Sequence, residues 1–211
     1  MININSKTYR LQIFDKLVTE SEFGMPVIPK YKGDIPEKLY PFNKAVAQKR
    51  YDSTPHFYLN DKEFVRVLTF TEKYLEILKR FPSVIAPDFS QYIDMPLPMR
   101  FYHCFLNKAL AAYWASNGVN VIPNVTWSTP DSYDYSFAGI ERNGIIAINC
   151  TGVKKSGYSK YLWLEGYKEA IRRLEPECII RYGEKMPGEA EEMSVYFENE
   201  NYKMLKNGRK R

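Results

Sequence analysis

Five short apolar stretches of this sequence each end on amides, carboxyls or hydroxyls: Asn60 with Asp61, Asp88 with Ser90, Asn124 with Trp127, Asn149 with Thr151, and Tyr182 with Glu184. In parallel α/β sheets, ligands bind beyond the carboxyl ends of the strands, where loops and helix N-termini converge. The same residue types also cap helices and shape turns, yet five consecutive strand ends carry more polar chemistry than capping demands. The densest block is Pro87-Asp88-Phe89-Ser90-Gln91-Tyr92-Ile93-Asp94-Met95-Pro96. Two carboxyls in one loop suit a divalent cation, or a general acid and base if their surroundings separate their pKa values. Asp88 and Asp94 are therefore the candidate catalytic residues. Helix capping is the alternative for both, and above all for Asp94, which precedes a helix. Candidate substrate-binding residues are Ser90, Tyr92, Asn107, Asn124, Trp127 and Asn149. An indole at the end of a strand stacks on a base or sugar, or else fills the core.

Other reactive side chains form weaker patterns. Cys104, Cys150 and Cys178 are odd in number and far apart, which argues against a disulfide framework. Cys150 stands where a nucleophile would, but neither histidine is near it in sequence, and an inert thiol is the better reading. With only His56 and His103, and no HExxH or paired-cysteine spacing, zinc has no ligand set, so the metal left open is a carboxylate-held divalent cation. Gly152-Val153-Lys154-Lys155-Ser156-Gly157 has the glycines and lysines of a phosphate loop without matching GxxxxGK[ST] or GxGxxG. Arg100, His103 and Asn107 share one face of a helix. The net charge of +5 sits mostly at the end of the chain, where Lys206, Arg209, Lys210 and Arg211 supply four of the five. A nearly neutral body leaves this tail as the candidate contact to nucleic acid, or as a plain solvated end.

Six apolar runs bounded by turn residues read as buried strands: 25–29, 56–60, 84–88, 119–125, 145–149 and 178–182. Their centres lie roughly 24 to 37 residues apart, the length of a strand, a helix and two loops. Phe64, Leu68, Thr71, Leu75 and Leu78 make one apolar stripe of a helix, and Leu164, Tyr167, Ile171 and Leu174 make another, with Ser159 as its N-cap and Pro176 as its stop. Residues 98–117 are apolar on most sides, and Asn117-Gly118 ends them with a left-handed cap. The expected fold is α/β, a mainly parallel sheet of about six strands built from successive βα units, either open and doubly wound or a partial barrel.

With 211 residues, 45% hydrophobic and 26% charged, the chain has the composition of one globular domain. Residues 1–24 read as an N-terminal extension, 25–183 as the core domain and 184–211 as a C-terminal extension with the basic tail. No run approaches the ~20 apolar residues of a membrane span, and the N-terminus lacks a signal-peptide pattern, so a cytoplasmic protein without a membrane partner is expected.

The stretches IPEKLYPFNKA at 35–45, HFYLNDKEF at 56–64, VIAPDFSQYIDMPL at 84–97, NGVNVIPNVTWS at 117–128 and SYDYSFAGI at 132–140 resemble the domain-of-unknown-function family numbered 4417. The DFS-x-Y-x-DMP and VIPN-x-x-W blocks are the specific part, and the resemblance runs over roughly 25–183. It implies a protein of phages, plasmids and integrated elements of bacteria, and no reaction. By position, the family's recurrent polar set falls on Asp88, Ser90, Tyr92, Asp94, Asn107, Asn124, Trp127, Tyr133 and Gly139. The chain departs from the family at Asn149-Cys150-Thr151-Gly152 and at Thr126. In that context the expected function is a small enzyme or ligand-binding protein whose polar pocket takes a nucleotide or nucleic-acid-related substrate. The alternative is a non-catalytic interaction protein that binds a host factor or DNA.

Overall fold

The computed structural model describes residues 11–14, 16–153 and 156–199. Lys206, Arg209, Lys210 and Arg211, the expected nucleic-acid contact, lie outside the described residues. Within them run nine short strands: β1 (Thr19–Glu20), β2 (Met25–Pro26), β3 (Leu39–Pro41), β4 (Thr54–His56), β5 (Val84–Ile85), β6 (Val121–Ile122), β7 (Ile145–Asn149), β8 (Cys178–Tyr182) and β9 (Ser194–Phe197). The α-helices are α1 (Leu11–Phe14), α2 (Phe42–Ala47), α3 (Arg66–Thr69), α4 (Thr71–Leu78), α5 (Leu97–Ser116), α6 (Tyr133–Phe137) and α7 (Gly157–Leu174).

The single, mainly parallel sheet of about six strands does not form. Four small sheets replace it: β1–β2 antiparallel, β3–β4 parallel, β5–β6 parallel, and β7–β8–β9 parallel. The physical reason lies in the prolines, which cannot donate to a ladder. Pro55 stands inside β4, Pro87 follows β5 after one residue, and Pro123 follows β6 directly, so these strands are only two or three residues long. The proline-free runs 145–149 and 178–182 keep their full length and pair in register from Ile145↔Cys178 to Asn149↔Tyr182. One parallel bridge, Asn124↔Ala147, joins the chain just past β6 to the middle of β7, where Val125 N–H donates to Ala147 O at 2.9 Å.

Local rules set the helices. The first expected stripe becomes two helices, α3 and α4, because Phe70 leaves helical geometry at φ −124, ψ 57. Phe64, Val67, Leu75 and Leu78 are nonetheless buried in one core with Phe57, Leu110 and Trp114. The N-cap of α7 is Ser156 rather than Ser159: its hydroxyl accepts from Ser159 N–H at 3.0 Å. Gly118 takes the left-handed conformation after α5 at φ +89. Past residue 183, a short 3-10 helix at Glu191–Met193 leads into β9, which pairs with β8 from Ile179↔Ser194 to Tyr182↔Phe197. A second core gathers Ile146, Ile148, Trp163, Tyr167 and Ile179 under α7. A third takes Leu39, Ile85, Ile122, Ala147 and Ile180 from five strands of different sheets. Among the described residues, no helix is long and apolar enough to cross a membrane.

Candidate functional site

β5 ends at Ile85, and Ala86 N–H still donates to Ile122 O at 2.9 Å, so the chain leaves the sheet at Pro87 and Asp88 beside the end of β6. The Asp88 carboxyl is clamped from two sides. Asn124 Nδ2 donates to its Oδ1 and Asn149 Nδ2 to its Oδ2, each at 2.9 Å. Each amide is in turn fixed. Tyr58 O–H donates to Asn124 Oδ1 at 3.1 Å, and Thr151 N–H donates to Asn149 Oδ1 at 2.6 Å, so both amides present their N–H groups to Asp88. The capping alternative for Asp88 is thereby replaced by a side-chain cluster drawn from three strand ends.

The loop that follows is tied at its root. Asn107 on α5 accepts from Phe89 N–H at 2.7 Å and donates to Phe89 O at 3.2 Å. Asp61 accepts from Ser90 N–H at 3.2 Å and from Ser90 O–H at 2.9 Å. His103 Nδ1 lies 2.6 Å from Ser90 O, and the acceptor carbonyl places the proton on Nδ1. The loop then opens outward to the exposed residues Tyr92, Ile93 and Asp94. α5 begins after Pro96 with no side-chain cap, so Asp94 does not cap it.

Asp88, Ser90, Tyr92, Asp94, Trp127 and Asn149 line a single cleft of about 490 Å³, within the ~300–1,000 Å³ usual for small-molecule sites. Asn124 stands beneath it, holding Asp88, and Asn107 lies outside its lining, holding the loop. The remaining wall comes from residues the sequence reading did not name as ligand contacts, including Gln91, Thr126, Ser159, Leu162 and Trp163. Trp163 and Ser159 belong to α7, and only tertiary packing brings them here: Trp163 Nε1–H donates to Asn149 O at 2.9 Å and its ring lies 5.9 Å from that of Trp127. Trp127 in turn sits over Gly166, where a side chain would overlap the indole. Gln91 is nine-tenths buried, and among the described residues neither its amide nitrogen nor its amide oxygen has a hydrogen-bond partner. Arg100 is buried and donates to Ser128, Thr129 and Asp131. The Cys150 thiol is buried and donates to Glu184 O at 3.1 Å. Gly152 and Val153 reach the cleft, while Lys154 and Lys155 lie outside the described residues. Among the described residues, no group of three or more His, Cys, Asp or Glu gathers to hold a metal ion.

Burial pushes the Asp88 carboxyl up from its ordinary 3.8 to about 7, with the Asp61 carboxylate adding to the rise and the Asn124 and Asn149 N–H groups opposing it. Behind it, His56 is buried between the rings of Tyr58 and Tyr182, which drives its pKa down to about 3 and keeps it neutral. The Asp88 shift has a consequence for stability. Between pH values near 3.8 and about 7 the folded protein holds a proton that the unfolded chain releases, so this group's contribution to stability falls as pH rises through that window. Urea unfolding of the wild type and Asp88→Asn in mildly acidic and neutral buffers should therefore show the wild type gaining on the variant as pH falls. A constant difference would mean that Asp88 titrates normally.

A family model described as a domain of unknown function, DUF4417, matches residues 18–201. The Gene 1 protein of Mycobacterium phage L5 is 33% identical over 129 residues, which are 61% of this chain and 56% of that protein. The Gene 1 protein of Mycobacterium phage D29 is 32% identical over 128 residues, 61% of this chain and 47% of that protein. The chain thus spans about half the length of these curated relatives. No solved structure matches it significantly.

Proposed function

This chain belongs to the DUF4417 family, with relatives in phages, and from that premise we propose that it binds a small polar ligand of the nucleotide or nucleic-acid class in the Asp88 cleft and exchanges a proton with it there. One observation carries the reading: a carboxyl that titrates near neutrality opens onto a cleft, held in one orientation by two amides. A group with its pKa near the working pH is suited to give and take protons, and a fixed orientation is what positions it to do so. The Trp127 and Trp163 rings supply flat apolar wall, and Ser90, Thr126 and Ser159 supply hydroxyls for a polar partner. Asp94, exposed at the rim, is a second carboxyl for the ligand rather than a partner of Asp88.

Thermal melting in the presence of nucleosides, nucleotides and short single-stranded DNA tests this directly. A ligand at a hundred times its Kd stabilises by about 2.7 kcal/mol, a shift of several degrees. The wild type should show such a shift with at least one of these ligands, and Asp88→Ala should show little or none. A wild type that responds to none of them removes the reading.

A second reading, an interaction protein, has one observation of its own. Tyr92, Ile93, Leu97, Met99 and Tyr102 are all exposed along one short stretch of the chain, of which Tyr92 and Ile93 line the cleft, and clustered exposed apolar side chains mark contact surfaces. Such a partner would cover the rim, so substitution of Tyr102 would weaken it without altering small-ligand binding.

A further inference from the structure

We propose that the cleft recognises a heterocycle by an amidine-type edge, a ring nitrogen acceptor beside an exocyclic amino donor as adenine and cytosine present it, paired on the Asp88 carboxyl. The inference rests on the ligand-binding reading above and narrows it to one chemistry.

A carboxyl group has about four acceptor positions. Asn124 occupies one on Oδ1 and Asn149 one on Oδ2, leaving each oxygen one direction for a ligand. Because Tyr58 and the Thr151 N–H fix the two amides, Asp88 cannot rotate to offer a single oxygen without breaking the cluster. What faces the cleft is thus a two-point edge, and two-point edges select planar partners with paired donors or acceptors. In the protonated carboxyl, one oxygen donates and the other accepts, which complements a ring nitrogen beside an amino group. The ionised carboxylate only accepts, which complements two adjacent donors, as on guanine.

Burial decides between the two states. The Asp88 carboxyl holds its proton up to about pH 7, and a neutral apolar ring pressed against it disfavours ionisation further. The charged and titratable neighbours act in the same sense or are remote. Asp61, bonded to Ser90, opposes a negative charge on Asp88, and Asp94 is exposed on the rim. The Tyr58 hydroxyl is itself held well above its ordinary pKa by burial and the Asp88 charge, and His56 behind it is neutral. The Arg181 cation is felt by Tyr58, and His103 meets the Ser90 carbonyl rather than the carboxyl. The walls fit a flat guest, with Trp127 and Trp163 on one side and Tyr92 at the mouth. Gln91 also lines the cleft, with both amide atoms buried and without a partner among the described residues.

The test is equilibrium binding of adenosine, cytidine, guanosine and uridine to the full chain, with their 5′-monophosphates in parallel, over roughly pH 6 to 9. Adenosine or cytidine should bind best, with affinity falling up to ~10-fold per pH unit above neutrality as the proton is lost. The slope should be absent in Asp88→Asn, whose amide cannot ionise, which places it on Asp88. Guanosine or uridine binding best, affinity that rises with pH, or a slope retained in Asp88→Asn would overturn the inference while leaving a ligand cleft. Binding of the monophosphates without the nucleosides would also overturn it, since the anchor would then be the phosphate. If nothing binds, the broader reading fails with it, and the two failures are told apart by this panel.

Discussion

Glu189→Ala is expected to cost the fold about 3–5 kcal/mol, the usual penalty for stranding one member of a buried ion pair. Arg181 on β8 and Glu189 are both essentially without exposure, at 0% and 1%, and Arg181 Nη2 lies 2.5 Å from Glu189 Oε1. The guanidinium is hemmed in on its other sides. Its Nη1 donates to Ile148 O and Tyr182 O, each at 3.1 Å, and its face lies 4.8 Å from the Trp163 ring. Removing the carboxylate therefore leaves a buried charge without its counter-ion. Glu189 also accepts from Met186 N–H at 3.0 Å and from Tyr196 O–H at 2.8 Å, so the same change loosens the turn before β9 and β9 itself. Urea unfolding measures the loss. A double variant, Arg181→Met with Glu189→Met, should recover much of it, because removing both charges removes the stranded one. A loss under ~1 kcal/mol, the range of an exposed pair, would show that the pair is hydrated in solution.

The second large effect is expected at Gly139. This residue holds φ +73, and an added Cβ would overlap the Pro26 carbonyl oxygen. Neither side can withdraw easily. Gly139 O accepts from Ile28 N–H at 2.8 Å, Gly139 N–H donates to Glu20 Oε2 at 3.3 Å, and the next residue forms the Ile28↔Ile140 bridge. Gly139→Ala thus adds backbone strain of about 1–3 kcal/mol to an overpacking cost of similar size. Gly118→Ala is the matched control. Its φ of +89 carries the strain, but nothing lies within 4 Å of the new Cβ, so its cost should stay near ~1–2 kcal/mol. Equal melting temperatures for the two variants would mean that the Gly139 and Pro26 segments part readily.

These two sites mark where sequence reasoning stops. The apolar run 178–182 reads as a buried strand and says nothing of a partner for Arg181 within it. The guanidinium is held in the core because Glu189, eight residues on, folds back to meet it. The strand ends at Asp88, Asn124 and Asn149 were legible, since an apolar run that stops at an amide or carboxyl marks where a chain leaves a core. Their mutual hydrogen bonds were not, because the partners are 36 and 61 residues apart. The same holds for Trp163 and Ser159, which sit on a helix whose apolar stripe gave no sign that its first turns face the cleft. Regular spacing alone suggests a single sheet, but prolines 55, 87 and 123 shorten the ladders enough to divide it. β3 at Leu39–Pro41 left no periodic signal at three residues long.

The three tryptophans divide unevenly between core and cleft, and this has an optical consequence. Trp114 is wholly enclosed with Phe57 and Leu110, whereas Trp127 and Trp163 form part of the cleft wall with their rings 5.9 Å apart. Under ultraviolet excitation, the chain therefore emits from one shielded indole and from a neighbouring pair in contact with whatever fills the cleft. A guest that displaces water from that pair changes its emission, while Trp114 supplies an unvarying background. The protein so carries its own label-free gauge of occupancy, and Trp127→Phe separates the signal of the wall from that of the core.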